Sequence, residues 1–211
     1  MLRRINDSGR PDTDLQAGDI VAFGRYPPAP RGQRKWIEWL ILSADGDCAR
    51  MVSRFVLDVK RYHDEDVSVT WETCSLRKWL NTDFVQAAFS SKEQYSLVET
   101  EVPAEQGVWK TDPGNDTRDR VFLLSYPEAR KYFRTNDERK AMPTAYAKNR
   151  GGIYTSSPEH GGTCRWWLRS RGSSAGNVQC VDAGGGFCNY YAITDTIAVR
   201  PAVVVRLAPG K

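Results

Sequence analysis

The spacing of apolar positions changes along the chain and divides it into short elements. Residues 19–24 (DIVAFG) alternate well enough for a strand, and 36–42 (WIEWLIL) are apolar and aromatic, a second strand. Asp45-Gly46 is a turn dipeptide that leads into a third strand near 49–52. The period then lengthens. Leu76, Trp79 and Leu80, and after them Phe84, Ala88 and Phe89, recur at helical spacing. Ser90 with Glu93, and Ser125 with Glu128, have capping-box spacing: a hydroxyl at the N-cap and a carboxylate three residues on. The second box opens a helix through Tyr132 and Phe133. Residues 109–120, with Pro113-Gly114 and several aspartates, are expected to be a long loop, as are 26–34 and 151–162. Residues 121–124 (VFLL), 166–170 (WWLRS) and the valine-rich 199–207 complete the strands. Many short strands with two or three helices predict one mixed α+β domain over 18–211, preceded by a polar, loose arm over 1–17. No linker divides it and no repeat of fixed period runs through it.

Composition narrows the function. The chain has 211 residues, 40% hydrophobic and 27% charged, enough to bury a substantial core. No stretch is apolar enough to span a bilayer, and the first residues lack a secretory signal. A protein without membrane insertion, cytoplasmic or exported without a signal peptide, is expected. The 30 basic and 26 acidic residues are interleaved, for a net charge of +4. The densest basic stretch, 31–35 (RGQRK), reads as a solvated loop, so nucleic acid is not an expected partner. Five cysteines make an odd count with no CxxC pair, which argues for reduced thiols rather than a zinc site or a full disulfide framework. No metal and no cofactor is expected.

Residues 172–198 (GSSAGNVQCVDAGGGFCNYYAITDTIA) stand apart. They contain no Lys, Arg, Glu, Leu, Met, Pro, His or Trp. About a quarter of an average chain is charged, so such a window should carry roughly seven charges; it carries Asp182 and Asp195 alone. Tyrosine offers large amphipathic contact area with little rotamer entropy, and Ser, Gly and Asn offer adaptable hydrogen bonds, the mixture of an antibody paratope. Val178, Val181, Ile193 and Ile197 are the candidate inward anchors. The candidate ligand contacts are Ser173, Ser174, Asn177, Gln179, Cys180, Asp182, Phe187, Cys188, Asn189, Tyr190, Tyr191, Thr194 and Thr196. A Gly-rich hairpin with no ligand remains open, and Gly184, Gly185 and Gly186 mark a tight turn under either reading.

Several stretches occur in one order: TWETCSLRKWLN (70–81), AAFS (87–90), DRVFLLS with EARKYF (119–133), PTAYA (143–147), WWLRS (166–170) and VRPAVVV (199–205). Together they resemble an uncharacterised bacterial domain family over roughly 18–207. That resemblance implies a C-type-lectin-like fold in its formylglycine-generating-enzyme-like form. It also implies kinship with the variable proteins of diversity-generating retroelements, in which adenines of a C-terminal repeat, often within AAC codons, are replaced at random. Replacing the adenines of AAC yields Ser, Gly, Asp, Thr, Ala, Tyr, Cys, Phe, Ile and Val, the residues that fill 172–198. Gln179 cannot arise so, and Arg171 stands where the family usually has proline. The expected function is ligand binding, to a protein or cell-surface ligand, without catalysis. The alternatives are an oxidoreductase of the formylglycine-generating type and a structural or envelope-associated module. The enzymatic resemblance implies a reactive cysteine pair near the C-terminus; Cys180 and Cys188 lie in that region at a different spacing.

Other chemistry is thin. His63 sits in an acidic run and His160 among glycines, both read as solvated loop residues rather than members of a hydrolytic site. The acidic stretch 58–66 matches no calcium loop. Trp36, Trp39, Trp71 and Trp79 fall on core patterns. Trp166 and Trp167 point to opposite faces of a strand, one expected to be buried and the other to floor the binding surface. Arg169 and Arg200 are expected to hold loop carbonyls or a carboxylate.

Overall fold

The computed structural model describes residues 2–5, 14–27, 34–151 and 160–207. In chain order the elements are β1 (Arg3–Arg4), β2 (Ile20–Tyr26), β3 (Lys35–Asp45), β4 (Cys48–Ser53), β5 (Asp58–Val59), α1 (Ser75–Trp79), a π-helical turn (Leu80–Phe84), α2 (Val85–Ala88) and α3 (Ser91–Ser96). They continue with β6 (Thr100–Val102), β7 (Thr117–Asp119), β8 (Val121–Phe122), α4 (Tyr126–Tyr132), α5 (Asn136–Arg139) and α6 (Ala145–Asn149). The C-terminal part holds β9 (Trp166–Arg171), β10 (Asn177–Val181), β11 (Phe187–Tyr191), β12 (Ala198–Val199) and β13 (Ala202–Arg206). The fold is mixed α and β, dominated by strands, with short helices.

Two sheets carry it. One has the order β1-β2-β3-β4-β13-β8, the other β11-β10-β9-β12-β5; β6 and β7 pair alone. On β3 the inward positions Ile37, Trp39 and Ile41 are buried, as alternation requires. That same alternation turns Trp36 outward. It is 47% exposed, under the Arg25 guanidinium at 4.1 Å, and is not the core residue its apolar neighbours suggested. The helical seam holds: Leu76, Leu80, Phe84, Ala88 and Phe89 are buried, with Trp79 packed at its margin. Both expected capping boxes form, at α3 and α4. A third, Thr135 with Glu138, opens α5, and α5 and α6 are helices beyond those expected from the sequence.

Three further expectations need correction. Within 109–120, residues Thr117–Asp119 form β7, paired with β6, with Thr117 and Asp119 buried and Asp119 accepting the Trp71 Nε1–H. The arm is not loose at its start: Arg3 and Arg4 pair with Ala22 and Val21, and Leu15 joins the core; residues 6–13 lie outside the described residues, as do 28–33 and 152–159 of the two expected loops. The apolar C-terminal run is two strands. β12 meets β9 in parallel at Ala198 and Trp166, whereas β13 lies between β4 and β8 in the other sheet. Pro201, which has no N–H to donate, sits at the crossing, and its carbonyl accepts from Ser53 N at 2.8 Å. The crossing ties the sheets together, and the β9-β10-β11 order places the hairpin at the far edge of the second one.

Candidate functional site

Residues 177–191 form a hairpin whose outer strand, β11, is the edge of its sheet. The register is direct: Asn177 opposes Tyr191, Gln179 opposes Asn189, Cys180 opposes Cys188 and Val181 opposes Phe187. At the tip, Asp182 N donates to Gly186 O (2.8 Å), Gly185 N to Asp182 O (3.0 Å) and Gly186 N to Asp182 Oδ1 (2.8 Å). Gly185 has φ +85°, and a Cβ there would overlap the Asn136 carbonyl, so the tip needs glycine and lies directly on α5. Arg139 completes this seat. Its Nε donates to Gly185 O at 2.7 Å, and its guanidinium lies 4.6 Å over the Phe187 ring. At the other end, Asn189 Oδ1 accepts from Ser173 N (3.2 Å), Ser173 Oγ (2.8 Å) and Asn177 Nδ2 (3.0 Å).

The rest of the molecule grips this segment by its main chain. Thr163 Oγ1 donates to Ala183 O (2.6 Å), Thr111 Oγ1 to Gly172 O (3.0 Å) and Arg171 to Ala175 O (3.3 Å). Val69 N donates to Ala175 O (3.1 Å), Tyr62 N and His63 N to Ala192 O (2.8 and 3.1 Å), and Lys60 N to Ile197 O (3.3 Å). With Arg139 on Gly185, each of these contacts ends on a carbonyl oxygen that any residue type supplies.

The candidate contacts divide by exposure. Ser173, Ser174 and Tyr191 are exposed, Tyr191 to 61%. Asn177, Asp182, Phe187, Cys188, Asn189, Tyr190, Thr194 and Thr196 are half-buried. Phe187 packs edge-on against Tyr126 at 4.6 Å, and Tyr190 lies under the Arg165 guanidinium at 5.1 Å. Gln179 and Cys180 are fully buried and are not surface contacts. Gln179 lies beneath Gly107, whose missing side chain makes room for it, and donates to Arg171 O at 3.1 Å. Cys180 is closed in between Trp167 on β9 and Cys188 on β11, and burial pushes its thiol far above the ordinary range, with the Cys188 thiol adding to the shift.

Of the expected anchors, Val178, Val181 and Ile197 are buried, but Ile193 is half-buried and Ala192 takes the inward place. Trp167 is as deeply buried as Trp166, its Nε1 on Lys60 O at 2.9 Å, and floors no surface. Arg169 is clamped by Leu123 O, Pro103 O, Glu105 and Glu128. Arg200 donates to Ser53 O and Arg139 O between the rings of Phe133 and Trp166, and burial lowers its pKa to about 10. Both hold carbonyls or carboxylates, as their positions suggested. Residues outside the segment flank the hairpin too: Tyr126, Arg139 and Arg165 touch its side chains, and no local sequence pattern marks them.

A cleft of about 1130 Å³ along α1 is lined by Lys60, Arg77, Trp79, Asp119 and Asp195 among others. Arg77 pairs there with Asp119 (2.7 Å) and Arg61 with Asp195 (3.7 Å), and Arg150 pairs with Asp58 (3.4 Å). Lys60 sits 4.5 Å over the Trp79 ring. His63 is a half-buried loop residue, and its Nδ1 accepts the Ser75 N–H (3.2 Å) at the start of α1. His160 packs beside Gly184 at the hairpin tip. Among the described residues no group of three His, Cys, Asp or Glu side chains is placed to hold a metal ion.

The family model described as "Domain of unknown function (DUF6273)" matches residues 38–207, more than half of the chain. The chain belongs to this family. The DUF6273 match takes in the whole hairpin and every residue that grips it. No curated protein and no solved structure matches the chain. No described helix of this DUF6273 protein is long and apolar enough to cross a membrane.

Proposed function

We propose that this protein binds a protein ligand through the β10–β11 hairpin and the Ser173–Ser174 turn beside it, and that the surface is one a retroelement diversifies on a C-type-lectin-like, formylglycine-generating-enzyme-like scaffold. The observation that carries this is the grip on main-chain carbonyls. A scaffold that holds a segment by groups common to all residues keeps its conformation while the side chains change. Gln179, the residue outside the AAC-derived set, is buried and serves the scaffold. The exposed and half-exposed remainder is short of charge and rich in Ser, Asn, Thr and Tyr, suited to a protein surface and unsuited to a phosphate backbone, which needs concentrated Lys and Arg. Seating the hairpin tip by the Gly185 and Ala183 carbonyls limits the entropy lost on binding.

The test uses two versions of the protein that differ only within 172–198. They share one circular dichroism spectrum and closely similar melting temperatures, and they capture different partners from the same mixture of surface proteins. Identical partner sets would place the contact surface elsewhere.

A further inference from the structure

Cys180 and Cys188 stand directly opposite each other on β10 and β11, and Cys188 Sγ lies 3.4 Å from Cys180 O. Both side chains therefore leave the same face of the hairpin. Their thiols are close enough to interact. Access differs: Cys180 is buried, whereas Cys188 is half-buried on the edge strand. Beside them is Arg165, a cation that favours the Cys180 thiolate and whose Nε has no hydrogen-bond partner. The remaining cysteines have no such arrangement. Cys74 and Cys164 are buried on other elements, each pushed up to about 12 chiefly by burial, and Cys48 begins β4.

The ladder gives the phase of the pair. Asp182 N bonds Gly186 O and Ala192 N bonds Gly176 O, both at 2.8 Å, so the two-residue period makes 180/188 a hydrogen-bonded pair as well. Such residues lie about 5.5 Å apart at Cα, inside the roughly 4.4–6.8 Å that a disulfide spans. Their Cβ atoms are about 4.5–5.5 Å apart, and a relaxed disulfide wants roughly 3.5–4.5 Å. The bond is reachable by drawing the two strands slightly together, and it closes under strain. A strained disulfide is more readily reduced than a relaxed structural one.

We propose that Cys180 and Cys188 are a reversible disulfide site, oxidised by small-molecule disulfides of the glutathione type. The more accessible Cys188 thiolate attacks one sulfur of the oxidant; the oxidant's S–S bond breaks and one glutathione leaves as thiolate. In the mixed disulfide the Cys188 sulfur no longer competes with Cys180 for a proton, and Arg165 remains beside the buried Cys180 thiol. Cys180 then attacks Cys188 Sγ, and the second glutathione leaves. Two protein thiols and one glutathione disulfide give one protein disulfide and two reduced glutathiones, the two thiol protons passing to the departing thiolates. The closed bond fixes β11 against β10 and narrows the motion of the display surface.

The experiment treats the full folded protein with oxidised glutathione, quenches with a maleimide under denaturing conditions without reductant, and maps the tryptic peptide 172–206 by mass. Both cysteines lie in that peptide, because trypsin does not cut between Arg200 and Pro201. The expected product has lost two hydrogens and carries neither glutathione nor maleimide. Reduced glutathione in excess restores two maleimide additions. Cys180→Ser is expected to stop at a glutathione adduct on Cys188. Maleimide-free Cys74 and Cys164 before denaturation verify that the sample is folded, so the wild-type result decides even where the variant folds poorly. A wild-type peptide that ends as the Cys188–glutathione adduct, or that keeps two alkylatable thiols, overturns the proposal.

Discussion

Gly185 and Arg139 carry more of the hairpin than any residue on its surface. At φ +85° an L side chain costs about 1–2 kcal/mol from backbone sterics alone, and here it would also strike the Asn136 carbonyl. Gly185→Ala is expected to destabilise by more than about 2 kcal/mol in chemical denaturation, lifting the tip off α5. Among the surface positions the structure separates effects that composition alone did not. Tyr191→Ala and Thr194→Ala remove exposed or half-exposed side chains and are expected to change stability by less than about 0.5 kcal/mol. Asn189→Ala leaves three donors without their acceptor and is expected to cost about 1 kcal/mol. A cost of several kcal/mol for Tyr191→Ala would mean that it is part of the core after all.

Short elements here hold because their ends are capped and their inward faces are apolar. Glu93 receives the Ser90 hydroxyl and N–H and the Gly24 N–H. Partial burial raises its pKa, and these bonds outweigh it, leaving the carboxyl below its ordinary value. A depressed carboxylate contributes stability above the unfolded pKa and loses it as pH falls through the folded one. Glu93→Ala is therefore expected to cost about 1 kcal/mol at neutral pH, with the gap to wild type closing in acid; melting curves across that range check it. Val203 on β13 is fully buried between Met51 and Val121, and Val203→Asp is expected to unfold the protein, since a lone buried charge costs several kcal/mol. Strand positions, the Leu76–Phe89 seam and two caps were legible in sequence because period and cap chemistry are local. Trp36, the split at Pro201 and the burial of Gln179 were not, because sheet neighbours and the Gly107 loop decide them. The hairpin was legible as a composition; its seat on Arg139 and Thr163 was not, because those residues contact main-chain atoms that carry no sequence signal.

Across the molecule, the crossing from β12 to β13 binds the two sheets, with Arg200 donating to Ser53 O on one side and Arg139 O on the other. Arg139 in turn seats the hairpin tip, so the core and the hairpin share one buried connection. One cooperative thermal transition is expected, with the same midpoint by tryptophan fluorescence and far-ultraviolet circular dichroism. The central claim is that this scaffold tolerates change in the segment it holds by main-chain carbonyls. Deep sequencing of the gene across a population that carries it tests this most directly. The account predicts substitutions concentrated at the first two codon positions of Ser173, Ser174, Asn177, Asn189, Tyr191, Thr194 and Thr196, with Gln179, Gly185 and the gripping residues Thr111, Arg139 and Thr163 unchanged. Substitutions spread evenly along the chain, or equally frequent at Gln179 and Gly185, would contradict it.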